Sequence, residues 1–208
     1  DKAIARAAWT STQNDVDLKT DEQIRDLIVN KLWNNGSGKP HKTPFERGIV
    51  EFNILCDTAS HIHILKHRLL NVNGQSSRYR ELKDDKFYLP EDWKNSKVQR
   101  NTKLDSTWLD ILQEFNRRGN ELYHDCLADL TPILGRKRAK ESARFFKPYS
   151  SQINLSVMTN MSCFHNFYTL RHDEAAQLEI QEIAGQMLEC IKNIEGNPFK
   201  HTLEAFNF

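Results

Sequence analysis

Lys66-His67-Arg68-Leu69-Leu70-Asn71-Val72-Asn73-Gly74-Gln75-Ser76-Ser77-Arg78-Tyr79 concentrates polar chemistry directly behind the apolar Ile62, Ile64 and Leu65. Three cationic or cationisable side chains stand together. After seven intervening residues come two hydroxyls, an arginine and a tyrosine. Core packing asks for none of these groups. An arginine fork grips phosphate or carboxylate through two parallel bonds, and a nearby serine with backbone amides completes an anion cradle. The segment suits a ligand with phosphates and a planar polar ring, such as a nucleotide or a flavin. The competing reading is a solvated loop whose charges do nothing, as in most Lys/Arg-rich loops.

The order and spacing of these residues resemble the signature of the flavin-dependent thymidylate synthases: Arg-His-Arg, seven residues, Ser, then Arg-Tyr. Upstream, His41-Lys42-Thr43-Pro44-Phe45-Glu46-Arg47 is similar to that family's His-x-Thr-Pro-Phe-Glu segment. Downstream, Asn160, Asn166 and the run from Leu170 to Gln181 resemble its third conserved block. Ala5-Arg6-Ala7-Ala8 resembles its first helix. The resemblance spans nearly the whole chain, in order.

The resemblance implies one domain over residues 1–208, with a small, mostly antiparallel sheet flanked by helices. It implies flavin-dependent methylation of dUMP to dTMP. FAD is the implied cofactor, methylenetetrahydrofolate (a folate) the one-carbon donor and NADPH the reductant. For FAD it implies Lys66, His67, Arg68, Asn160, Ser162 and Asn166, with His41 and Thr43 on the flavin and folate side. For the nucleotide it implies His63, Gln75, Ser76, Ser77, Arg78, Arg144 and Arg171. Of these, Arg171 would stabilise a negative charge at N3 of the uracil ring, and Ser76 would lie near the ring's reacting face. Ser76 is not expected to be a nucleophile, because no His–acid pair is spaced to activate it. A homotetramer with shared active sites is implied as well.

Four positions depart from the family pattern. Lys66 replaces an arginine, keeping the charge but losing the planar fork. Gly74 replaces a glutamate and supplies no side chain. His63 stands where glutamine is usual, and Ser162 where many members have arginine. With Lys66, His63 and Gly74 all at the nucleotide end, two further functions stay open. One is action on UMP, or release of a hydroxymethylated pyrimidine. The other is a homologue that binds flavin or nucleotide without turnover. Plainer readings also stand beside the site: a serine-rich turn at 75–78, and a structural salt bridge from Arg171 to Glu174 or Glu179. His61, His63 and His67 invite a metal reading. No HExxH, intervening carboxylate or nearby cysteine supports it, so no metal is expected.

The rest of the chain sets the bounds. Its 208 residues fit one domain with a real core. A formal net charge of +1 argues against a nucleic-acid polymer or a membrane surface as partner. No apolar run approaches the ~20 residues of a membrane span, and no signal peptide is visible. The four scattered cysteines, with no CxxC pair, read as reduced thiols in the cytoplasm. The chain opens at Asp1 without Met, and a short preceding segment is expected.

Periodicity predicts a helix over 21–34, capped by Thr20, and a half-buried strand over 48–56 with Val50, Phe52 and Ile54 on one face. Helices follow over 58–68, 107–130, 138–145, 162–170 and 173–194, with a strand over 153–158. Trp108, Ile111, Leu112 and Phe115 are expected among the contacts of the long helix. Ala176, Ile180, Ile183, Met187 and Ile191 are the expected stripe of the last one. Residues 84–103 read as a surface excursion. Short strands among helices give the α+β class.

Overall fold

The computed structural model describes residues 1–76, 78–99 and 106–208. In chain order these form α1 (Lys2–Trp9), α2 (Asp21–Arg25), a π-helical continuation (Asp26–Trp33), a 3-10 turn (Thr43–Arg47), β1 (Ile49–Asp57), α3 (Thr58–Leu65), β2 (Asn71–Gly74), α4 (Trp108–Leu134), α5 (Arg136–Ala143), β3 (Gln152–Asn160), α6 (Met161–Arg171), α7 (Leu178–Lys192) and α8 (Lys200–Phe206). The antiparallel sheet has the order β1-β3-β2. The expected α+β class is the observed one. Two compact units divide the chain. The first holds Asp1–Phe52, Leu65–Val72 and Val157–Phe208, and the second Asn53–Ile64 and Asn73–Ser156.

In the first unit, Thr20 caps α2 in a reciprocal box with Gln23, at 3.3 and 3.0 Å. The helix expected to run to Asn34 changes pitch at Asp26. Its ladder widens, and the Asn34 amide bonds the Val29 carbonyl five residues back, at 2.9 Å. The physical reason is the consecutive Leu27, Ile28 and Val29, all of them buried. An α-helical stripe does not turn three successive side chains inward.

The turn carrying Pro44 and Phe45 ends at Gly48, where a Cβ would come within 2.9 Å of Met161 and Phe199. That close approach lets the Met161 amide bond the Gly48 carbonyl at 2.8 Å and start α6. Phe164 and Phe167 of α6 are buried, as are Ile180, Ala184, Met187, Leu188 and Ile191 of α7. Helix α7, expected from residue 173, begins only at Leu178, because the Asp173 carboxylate accepts from the Ala175 amide at 2.9 Å, closing a turn that competes with helix.

In the second unit, α4 starts on a capping box between Thr107 and Asp110 and runs past Leu130 to Leu134. Its buried face is Asn116, Gly119, Asn120, Tyr123 and Leu127. Trp108 and Phe115, expected in the interior, are 44% and 61% exposed. A Cβ on Gly119 would lie 2.7 Å from the Phe146 carbonyl, so the helix sits flush on the 146–148 turn. That face admits small and hydrogen-bonded residues, and Asn116 accepts there from the Ser150 hydroxyl at 2.7 Å. Tyr123 and Leu127 pack against Ala139 and Ala143 of α5, with Leu82 alongside.

The signature stretch holds two surprises. The helix before it, α3, stops at Leu65 instead of Arg68, leaving Lys66-His67-Arg68 in the turn that follows. The stretch also contains the strand β2, where only a loop was expected.

Candidate functional site

The first unit carries Lys66, His67, Arg68, His41, Thr43, Asn160, Ser162, Asn166 and Arg171. Helix α6 organises several of them. Asn160 is its N-cap, its Oδ1 accepting from the Cys163 amide at 2.9 Å, so the side-chain NH2 is the group left for other partners. Ser162 and Asn166 lie one turn apart, half-buried and exposed respectively.

Phe167 and Arg171, also one turn apart, both reach His67. The buried Phe167 ring meets the imidazole edge-on, 4.9 Å between centroids, and Arg171 Nε donates to His67 Nε2 at 2.7 Å. A guanidinium only donates, so His67 accepts as a neutral imidazole with its proton on Nδ1. The structural salt bridge considered for Arg171 thus gives way to a bond with the signature histidine. Glu179 instead accepts from Gln177 at 2.7 Å. Lys66, Arg68, His41 and Thr43 are exposed.

The second unit carries His63, Gln75, Ser76, Arg78 and Arg144. Ser77 lies outside the described residues. Gln75 is braced on β3. Its amide donates to the Asn154 carbonyl at 2.8 Å, and its Oε1 accepts from Asn154 Nδ2 at 3.1 Å. The Ser76 carbonyl takes the amides of Tyr79 and Arg80, at 3.2 and 3.0 Å, which turns the chain sharply. Arg78 Nε then donates to Glu141 Oε1 on α5 at 2.8 Å. That bond holds the Glu141 carboxyl below its usual range, with Arg138 adding to it. Arg144 follows Glu141 by three residues at the end of α5, so both arginines gather at one end of this helix. Lys140 binds the Tyr79 carbonyl at 2.8 Å and Arg136 binds Glu81 at 2.6 Å, so α5 grips the whole loop.

His63 is half-buried on α3, and His61 on the same helix is pushed down in pKa by burial. A Cβ at Gly74 would stand 3.5 Å from the His61 ring and 3.3 Å from Leu155, so the space beside this glycine is bounded by imidazole. The sequence reading did not find Glu141 or Asn154, and it weighed His61 only as a metal ligand. Their partners are distant in sequence, by 63 residues for Glu141 and Arg78 and by 79 for Asn154 and Gln75, and no local spacing signals them.

Across the sequence, the model of the thymidylate synthase complementing protein family matches residues 1–195. The chain belongs to this family. Curated relatives named flavin-dependent thymidylate synthase include one from Pseudothermotoga lettingae, 30% identical over 178 residues, covering 86% of this chain and 75% of that one. A second, from Thermosipho africanus, is 30% identical over 214 residues, covering 99% and 86%. Among solved structures, a UMP/dUMP methylase PolB from Streptomyces cacaoi, bound with 5-Br dUMP, superposes with a TM-score of 0.69 at 24% identity, covering 99% of this chain and 89% of that one. That likeness carries the fold. In this family of thymidylate synthases, the chain's signature stretch, its His41–Arg47 segment and its Arg171 block all lie inside the matched range.

Proposed function

We propose that the chain is a flavin-dependent thymidylate synthase that methylates dUMP to dTMP, with methylenetetrahydrofolate as one-carbon donor and NADPH as reductant. The observation that carries this reading is the Arg171–His67 bond, which joins the signature turn to the third block within a chain of this family.

The donor set fits FAD. Lys66 and Arg68 offer exposed cations, and Asn160 and Asn166 offer amides, all suited to a dinucleotide's phosphates and ring edges. The amides of Met161 and Cys163 at the head of α6 are already bonded, to Gly48 and Asn160. FAD, when bound, supplies the redox chemistry between reductant and nucleotide. The chain's own residues position and polarise. Arg78 and Arg144 hold the monophosphate, Gln75 and Ser76 set the ring, and Arg171 stabilises negative charge at N3. His41 and Thr43 serve the flavin and folate side.

We further propose that residues 1–208 act as one functional domain and assemble as a homotetramer with shared active sites, in the cytoplasm. A second reading, turnover of UMP, is favoured by Gly74, where a glutamate side chain would begin 3.3 Å from Leu155 and 3.5 Å from the His61 ring.

The test is an assay with FAD, NADPH, methylenetetrahydrofolate and either dUMP or UMP, with products identified by mass. The expected product is dTMP from dUMP. Methylated UMP favours the second reading. No product from either nucleotide, with flavin bound, overturns both.

A further inference from the structure

We propose that His67 is a positioning residue for Arg171: its neutral imidazole, accepting from Arg171 Nε, aims the guanidinium that faces the nucleotide. This rests on the reading of Arg171 as the residue at uracil N3. A guanidinium has five N–H donors, and its plane swings about the side-chain torsions unless one donor is tied. The 2.7 Å bond ties Nε, which leaves the two terminal nitrogens as the working end. The imidazole is itself held. The Phe167 ring packs edge-on against it at 4.9 Å, and Phe167 is 1% exposed, so the imidazole rests on a buried side chain.

Both contacts come from one helix, with Phe167 and Arg171 separated by one turn. The device is therefore a clamp in which α6 fixes the histidine and the histidine fixes the arginine. Placing a charged donor within a fraction of an ångström is what separates transition-state stabilisation from mere attraction.

The experiment uses the flavin-loaded enzyme with dUMP. Its spectroscopic arm is NMR of [15N]histidine. His67 is expected as the Nδ1–H tautomer, with an unprotonated Nε2 whose shift moves in Arg171→Ala. Observation of Nε2–H, or no change in Arg171→Ala, overturns the proposal whatever the activity. Its kinetic arm compares His67→Leu, His67→Gln and His67→Asn at saturating dUMP. His67→Leu should lower kcat about tenfold or more with little change in KM for dUMP. His67→Gln, whose amide oxygen falls near the position of Nε2, should recover most of that rate. His67→Asn, whose oxygen falls near Nδ1, should not. Equal loss in Gln and Leu variants, or a rise in KM alone, overturns the positioning role. Arg171→Ala separates the two claims. If it turns over at the wild-type rate, the functional reading of Arg171 falls and the proposal with it. If it is slow while His67→Leu is not, only the positioning role falls.

Discussion

In the first unit, Phe167 and Arg171 stand one turn apart on a helix with a buried apolar side, and they hold His67 through a ring edge and a 2.7 Å bond. In the second, Arg78 hangs from Glu141 by a 2.8 Å ion pair, with its own side chain about half exposed. One set of functional groups is fixed by core packing. The other is fixed by charges at the surface, through Arg136, Lys140 and Glu141 of α5. Packed groups are insensitive to salt, whereas exposed pairs weaken as it rises. The nucleotide loop should therefore loosen at high salt under conditions where the His67–Arg171 pair does not. If Arg78 holds the nucleotide phosphate as proposed, it exchanges Glu141 for that phosphate, and the weaker tether suits the exchange.

The largest effect that tests this contrast is Arg171→Ala. Losing a preorganised donor to a developing negative charge lowers turnover by roughly a hundredfold or more. The expected result is a fall of that size in kcat at saturating dUMP, with flavin still bound and still reduced by NADPH. Arg171→Lys should recover only part, because lysine keeps the charge but has no Nε to give His67. A wild-type kcat in Arg171→Ala would make the residue a structural partner of His67 and nothing more.

Next in size is Arg78→Ala. A lost charge-assisted bond to phosphate corresponds to about tenfold or more in binding. The expectation is a rise in Kd for dUMP by titration calorimetry, with kcat at saturation close to wild type. Its salt dependence should also flatten. If kcat falls as steeply as in Arg171→Ala, the two units do not divide the work as described.

Much of this was legible in the sequence, for physical reasons that can be named. Thr20 caps its helix, as expected, because a hydroxyl facing the third helical amide is a local event. The apolar spacing of α7 and the alternation of β1 are also local. The wider pitch after Asp26 was not legible, because it answers to how Leu27, Ile28 and Val29 are buried and not to their spacing. Strand β2 was hidden in a run rich in Asn and Gly, which pairs only because β3 supplies the partner. The candidate site residues came from the resemblance, and the connections among them were not legible. His67 and Arg171 are 104 residues apart, and no sequence pattern announces that bond.

A stability comparison comes third, between one glycine from each unit. Gly119→Ala places a methyl 2.7 Å from the Phe146 carbonyl and 3.1 Å from Pro148, neither of which moves cheaply. Overpacking of this kind typically costs ~1–3 kcal/mol, of which alanine's helical preference offsets about 1 kcal/mol. Gly48→Ala meets side chains of Met161, Phe199 and Ile4, and methionine in particular can rotate away. Chemical denaturation should therefore find Gly119→Ala the less stable variant. The reverse order would mean that the 146–148 turn yields more readily than the core around Gly48.

The smallest expected effect concerns Asp85, which anchors the far end of the same loop in the second unit. Its backbone is left-handed, φ 49°, a conformation aspartate tolerates better than most residues. Its carboxylate takes Lys147 Nζ at 2.8 Å and His124 Nε2 at 3.0 Å, and Asn120 donates to its carbonyl at 3.1 Å. Partial burial pushes the Asp85 carboxyl up, but the bonds from Lys147 and His124 outweigh it, and the net shift is down. A carboxyl held lower in the folded state contributes stability above its unfolded pKa of about 3.9 and loses it as pH falls through the folded value. Because the Asp85 side chain is 38% exposed, solvent screening limits the contribution to about 1 kcal/mol. Asp85→Asn keeps the left-handed backbone but leaves Lys147, 8% exposed, without its anion. The variant should be less stable than wild type at pH 7, and the gap should close below about pH 4. Denaturant midpoints at the two pH values test this, and a gap that persists unchanged into acid would assign the loss to packing and not to charge.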